Sequence, residues 1–241
     1  MAIRVSLDRA EEARAEWLDR FPDGFEERVV DGRLELAAYT DDEPPAGAFA
    51  EEVEPGWDDR WREFHKPARV GPFWIGPPWE RPPRDVVPVV IDPGRAFGTG
   101  AHPTTQLCVE LVAELEPASL LDIGCGSGVI AIAAALLGFS PVVAVDVDPA
   151  AVDATERNAA ANGVALDVRE LNAKTEALPE TDVAVANISL AGVEAVLRRS
   201  AARVVVTAGY LDRDVLDLGA YRRLERRVRE GWAADLLQRA E

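Results

Sequence analysis

The period of hydrophobic and polar positions changes along this chain. Over residues 1–40, short runs predict a strand at Ile3–Leu7, a helix at Arg9–Phe21 and a hairpin of Glu26–Val30 with Arg33–Tyr39. The hairpin is marked by the turn pair Asp31-Gly32. Residues 41–56 are rich in acid and proline and carry neither period. Residues 57–91 hold Trp57, Trp61, Trp74, Trp79 and seven prolines, which predicts a linker with a short helix and then extended strands, its aromatics packing between domains.

From Ser119 onward, β-branched runs alternate with alanine-rich helical stretches. They predict a strand to Asp122, a helix Gly128–Leu137, a strand Val142–Asp146 and a helix Pro149–Asn162. Further strands are predicted at Leu166–Glu170, Val183–Asn187, Arg203–Thr207, Arg222–Val228 and Ala233–Leu237. Asp148 before Pro149 reads as an N-cap with proline at the first helical position. Short apolar strands joined by helices are buried on both faces. The expected fold is therefore α/β, a doubly wound, mostly parallel seven-stranded sheet with a small amino-terminal α+β domain. The boundaries read as 1–56 for the small domain, 57–91 for the linker and leading strands, and 92–241 for the large domain.

With 241 residues, 48% of them hydrophobic, the chain can bury a full core. Its net charge of −17 argues against nucleic-acid binding, which needs clustered Lys and Arg. The first 60 residues carry 18 acidic side chains against seven arginines, a front end suited either to a basic protein partner or simply to solvation. Cys108 and Cys125 imply no disulfide framework and fit a reducing cytoplasm. With His65 and His102 as the only histidines and no cysteine pair at ligand spacing, no zinc site is expected. Neither a signal peptide nor a membrane span is expected, since the apolar run Val129–Phe139 is far shorter than the ~20 residues a span requires.

The chemistry concentrates at Leu121–Gly128, Leu-Asp-Ile-Gly-Cys-Gly-Ser-Gly. A strand there must turn sharply into a helix, and Gly124, Gly126 and Gly128 leave no Cβ between backbone and ligand. A dinucleotide fingerprint would place its third glycine at Val129. Here it falls one residue early, and Asp122 precedes the turn. That carboxylate would repel a diphosphate but not the sulfonium of S-adenosylmethionine. Asp146 follows Gly124 by 22 residues, the reach of a carboxylate that binds both ribose hydroxyls, or else it is only a turn residue. Asn187 ends another strand and either accepts a hydrogen bond from an amine nucleophile or caps the next helix. Residues 92–105, Asp-Pro-Gly-Arg-Ala-Phe-Gly-Thr-Gly-Ala-His-Pro-Thr-Thr, form a glycine-punctuated loop entering a helix at Pro103. Thr104 and Thr105 there could meet a carboxylate or serve as caps. His102 reads as a loop residue bonded to backbone and Cys125 as a small turn residue.

These segments, with Asp146-Val-Asp148-Pro149 and Val185-Ala-Asn187-Ile188, closely resemble the bacterial ribosomal protein L-eleven methyltransferase family, a class I S-adenosylmethionine-dependent group. His65-Lys66-Pro67 resembles the family's linker. The resemblance spans about Trp57 to Thr207 and implies S-adenosylmethionine as cofactor, bound by Thr105, Asp122, Gly124, Gly126, Gly128, Asp146 and Asn187. It implies Phe97 and Thr99 over the reactive centre and Asn187 positioning the amine. It further implies that residues 1–56 recognise a basic substrate, ribosomal protein L-eleven, methylated on lysine side chains and on its α-amine. The chain departs from the family pattern in its shorter amino-terminal module, at Ser200-Ala-Ala-Arg and at Asn187-Ile-Ser-Leu. Competing readings are a different protein or small amine as substrate, an NAD-dependent oxidoreductase, and a non-catalytic donor-binding adaptor.

Overall fold

The computed structural model describes residues 2–6, 9, 13, 17, 26–30, 32–37, 66–92 and 100–240. The chain divides into two compact units, Met1–Trp61 and Arg62–Glu241. In the first, β1 (Ala2–Ser6), β2 (Glu26–Val30) and β3 (Arg33–Ala37) form an antiparallel sheet in the order β1-β3-β2. Val30 lies opposite Arg33, so the hairpin closes over two residues, with Gly32 at φ 73°. Strand alternation puts Leu34 and Leu36 on one face, packed with Ile3, Val5 and the buried Ala13 and Trp17. Ala13 and Trp17 are helical and four residues apart, the spacing that stacks side chains on one helix face. The rest of the predicted helix, the 41–56 segment and the predicted short helix before residue 66 lie outside the described residues.

The second unit opens with a small sheet, β4 (Ala68–Val70), β5 (Phe73–Gly76) and β6 (Val87–Val90). Val70, Phe73, Ile75, Val89 and Ile91 are buried in the same core as Leu107, Leu111 and Ile132. These strands are thus part of the large unit's interior. Then come α1 (Pro103–Ala113), β7 (Leu120–Ile123), α2 (Val129–Leu136), β8 (Val142–Asp146), α3 (Pro149–Ala161) and β9 (Asp167–Glu170). The chain continues through β10 (Val183–Asn187), α4 (Leu190–Arg199), β11 (Val204–Leu211), β12 (Tyr221–Arg229) and β13 (Trp232–Arg239). Among the described residues no helix is long and apolar enough to cross a membrane.

The large sheet has seven strands in the order β12-β13-β11-β10-β7-β8-β9. Neighbours from β11 to β9 are parallel, while β13 pairs antiparallel with both β11 and β12. All four residues of β7 are buried, as a central strand covered on both faces requires. Val129 to Ala134 of α2 are likewise all buried, which explains a helix apolar on every side. From β7 the chain steps outward through β8 to β9, then returns to the other side of β7 with β10 and β11. The carboxyl ends of β7 and β10 therefore flank the switch point where such sheets bind ligands.

Two polar constructions brace this end of the sheet. Along α3, Thr155, Asn158 and Asn162 share one face. Thr155 Oγ1 donates to Gly126 O (3.0 Å) and Asn158 Nδ2 to Ser127 O (2.9 Å). Asn158 Oδ1 accepts from Asp92 N, and Asn162 bonds both N–H and C=O of Val90. One helix face thereby ties the glycine turn to the end of β6. Across the antiparallel strands, the fully buried Asp235 receives Tyr210 Oη (2.9 Å), Arg226 Nε and Nη2 (2.8 Å each) and Arg223 Nε (2.8 Å). A buried carboxylate is tolerated only when so paired.

Replacing Asn158 by leucine, similar in volume, deletes its bonds to Ser127 and Asp92. Urea unfolding should show a loss of about 2–4 kcal/mol. A change below about 0.5 kcal/mol would mean that the ladder does not brace the turn.

Candidate functional site

A cavity of about 530 Å³ opens at the carboxyl ends of β7, β8 and β10. Gly124, Cys125 and Gly126 line it from the turn after β7, Asp146 from the end of β8 and Asn187 from the end of β10. His102, Thr104 and Thr105 enter it from the start of α1. Leu171 to Lys174 follow β9, and Ile188, Gly209 and Trp232 complete the opposite side.

The turn is held by its own backbone. Gly124 N and Cys125 N both donate to Val145 O, and Gly128 N donates to Cys125 O. Gly126 N donates to Asp146 Oδ2 (2.9 Å), while Asp148 N donates to Oδ1 (3.1 Å). Four N–H groups that a phosphate-binding turn would offer are therefore engaged. One donor of the first turn of α2 is engaged as well, because Asp122 Oδ2 accepts from Ala131 N (3.1 Å). Asp122 is fully buried and does not line the cavity. This corrects the expected reason for disfavouring a diphosphate. The carboxylate does not face the cavity; from behind the turn it takes one of the helix N-terminal donors that an anion would use. Gly128 also stands outside the cavity. Its φ of 81° caps α2, and a Cβ there would meet Thr155 Cγ2 at 2.8 Å.

Asp146 shapes the turn and still faces the cavity. Each carboxylate oxygen accepts one backbone bond, leaving lone pairs for two further donors. Across the cavity, Asn187 Nδ2 donates to Thr105 Oγ1 (3.2 Å), which leaves Oδ1 as an acceptor. The cap of α4 is not Asn187. Ser189 fills that role, its Oγ accepting from Gly192 N (3.4 Å), which accounts for serine in the Asn-Ile-Ser-Leu segment. Ser200, in the other departing segment, terminates α4, and its carbonyl accepts from Tyr221 Oη (3.0 Å).

Thr104 and Thr105 are buried and neither caps α1. The cap is His102, whose Nδ1 accepts from Thr104 N (3.3 Å) and lies 2.7 Å from Thr104 Oγ1. Burial lowers the proton affinity of His102, and the charge of Glu230 partly opposes this. Its Nδ1 is committed to the cap, so the ring is a poor general base. Burial pushes the Cys125 thiol up, with Asp122 adding to the effect, and its sulfur lies 3.3 Å from Thr155 Oγ1. It is a packing residue of the turn. Phe97 and Thr99 lie outside the described residues.

The sequence reading missed Gly209, Trp232 and the Leu171–Lys174 segment. Gly209 left a signal, since a glycine inside a β-branched run marks a bulge or a close backbone approach. Its φ is 101°, the register of β11 shifts between Ala208 and Tyr210, and a Cβ would lie 1.8 Å from Ile188 O. The glycine therefore lets β11 press against the residue after Asn187.

A model of the family described as ribosomal protein L11 methyltransferase (PrmA) matches residues 26–214. The ribosomal protein L11 methyltransferase of Symbiobacterium thermophilum is 38% identical over 209 residues, covering 76% of this chain and 66% of that protein. Its namesake in Aliivibrio fischeri (strain MJ11) is 40% identical over 190 residues, covering 72% and 64%. That of Methylococcus capsulatus is 44% identical over 145 residues, covering 58% and 48%. The chain thus spans from about half to about two thirds of the length of these curated relatives. The crystal structure of ribosomal protein L11 methylase from Lactobacillus delbrueckii subsp. bulgaricus aligns with a TM-score of 0.62 at 26% identity, over 71% of this chain and 97% of that one.

Two outcomes follow from this geometry. Gly209→Ala must displace the Ile188 backbone, so urea unfolding should show a loss of at least about 2 kcal/mol. Wild-type stability in that variant would refute the tight approach. Burial raises the Asp122 carboxyl to about 7, the Ala131 N–H opposing this and Asp146 adding to it. A raised folded-state value means that the stability from this group is complete below its unfolded value, about 4, and is lost as pH rises through about 7. Asp122→Asn keeps the acceptor for Ala131 and cannot ionise. Its stability relative to wild type should therefore be greater at pH 8 than at pH 5, and an equal difference at both would contradict the assignment.

Proposed function

Because the chain belongs to the ribosomal protein L11 methyltransferase family, we propose that it transfers methyl groups from S-adenosylmethionine to lysine side-chain amines of ribosomal protein L11, with the α-amine as a further acceptor. The observation that carries this reading is the pairing of Asp146 with Asn187, two polar groups on opposite sides of one cavity at the switch point. The proposed place of action is the cytoplasm. The acidic first unit is the proposed recognition surface for the basic substrate.

The residues fit such a donor. The two free acceptor directions of Asp146 suit the ribose hydroxyls, each charge-assisted bond contributing about 1.5–3 kcal/mol. Gly124 and Gly126 allow close backbone approach, and Val147 and Leu171 give an apolar surface beside Asp146. When bound, the donor supplies a methyl group on a positively charged sulfur. The protein's contribution is then alignment and exclusion of water. Asn187 Oδ1 accepts an N–H of the incoming amine, and Thr105 fixes the amide so that this oxygen, not the nitrogen, faces it. With His102 committed to its cap, the amine loses its proton to solvent before it reaches Asn187.

Titration of the purified chain with S-adenosylmethionine should show saturable binding, weakened about tenfold or more in Asp146→Ala. Incubation with donor and ribosomal protein L11 should add mass to L11 in methyl steps. Asn187→Ala should bind donor yet turn over at least about tenfold more slowly. Donor binding without added mass would exclude L11 as substrate, and absence of donor binding would overturn the whole reading.

A further inference from the structure

Strands β12 and β13 meet in a two-residue turn, Glu230-Gly231, with Arg229 opposite Trp232. Both turn residues are left-handed, Glu230 at φ 52° and Gly231 at φ 79°. Such turns favour Asn-Gly, because asparagine and glycine tolerate this region and a long unbranched carboxylate does not. Glu230 is the one non-glycine residue with positive φ among those described. Among the same residues, no ion pair explains why a glutamate stands there. An outlier two residues from the cavity-lining Trp232 is a reason to ask what the side chain does.

The tip of this hairpin is fixed in place. Arg229 Nη1 donates to Gln106 Oε1 (2.9 Å), and its Nη2 donates to both oxygens of Glu110 (3.1 Å each). Both partners lie on α1, the helix that His102 caps. Gly231 O accepts from Asp212 N (2.9 Å). Trp232, the next residue, lines the cavity and meets the His102 ring edge to face, with centroids 4.8 Å apart and planes at 70°. Glu230 itself is exposed, and its charge is felt at His102. The arginine contacts therefore fix the turn that carries Glu230, two residues before the Trp232 that lines the cavity.

Resting on the proposed amine methylation, we propose that Glu230 is a specificity-determining residue that draws the substrate's ammonium group toward the side of the cavity lined by Trp232. A carboxylate attracts an alkylammonium through charge, the indole adds cation–π contact, and neither offers this to an anionic or neutral substrate. Its exposure keeps it out of the chemical step. The amine gives up its proton to solvent inward of this point, and only the neutral form reaches Asn187.

The test compares wild type with Glu230→Asn in the full chain, using ribosomal protein L11 as substrate. Asparagine suits the left-handed turn, so the thermal midpoint should hold or rise. Donor affinity and kcat should stay within about twofold, while KM for L11 should rise about fivefold or more. The gap in KM should narrow as salt is added, as expected for an attraction between exposed charges. A defect that is merely structural would instead lower the midpoint and kcat together. Unchanged KM with intact donor binding and turnover would overturn the role of Glu230 and leave the methyltransferase reading standing. If wild type binds donor but methylates no amine of L11, the substrate assignment falls, and this inference with it.

Discussion

The acceptance of the Ala131 N–H by the buried carboxylate of Asp122 decides what the rest of the site can be. A strand–glycine turn–helix unit ordinarily presents a helix N-terminus and a set of free backbone donors to its ligand, a combination suited to phosphate. Here the carboxylate takes one of those donors from inside. The turn closes itself through Val145 O, Cys125 O and Asp146. Most of the turn's donors are therefore spent within the protein, which makes the turn a poorer seat for a diphosphate than an open one. The polar side chains that face the cavity from the strand ends are Asp146 on one side and Asn187 on the other.

That arrangement needs the turn to be held without touching the ligand, and α3 does so. Its Thr155, Asn158 and Asn162 grip the turn's carbonyls at one level and the end of β6 at the next. The same helix is started by Asp148, whose Oδ1 accepts from Ala150 N (2.9 Å) and whose own N–H goes to Asp146. Cap, ladder and the cavity-facing carboxylate of Asp146 thus form one hydrogen-bonded unit. A shift of α3 moves all three together.

What could be read in the sequence was local. The strand Val142–Asp146, the Asp148-Pro149 start and the Val183–Asn187 strand have the bounds expected, because each is written in adjacent residues with their own turn chemistry. The side of the backbone to which Asp122 turns was not legible, since a strand buried on both faces has no polar alternation to fix it. Asn187 could equally have been a helix cap until Ser189 was seen in that place. The continuation of β11 to Leu211 depends on a bulge that fits only because Ile188, distant in sequence, lies against it. The three strands assigned to a linker owe their burial to α1 and α2, which periodicity within 57–91 does not record.

Strand β13 follows β12 in the chain, yet it sits between β11 and β12. Neither neighbour can pair with the other in its absence. Strand β12 therefore joins the sheet only through β13, and its arginines meet Asp235 only once β13 is in place. Trp232 and the bulged Gly209 reach their positions in that same step. Until β13 docks, the cavity that Trp232 and Gly209 line is unfinished, so the site is completed by a strand that lies outside the glycine turn and its helix.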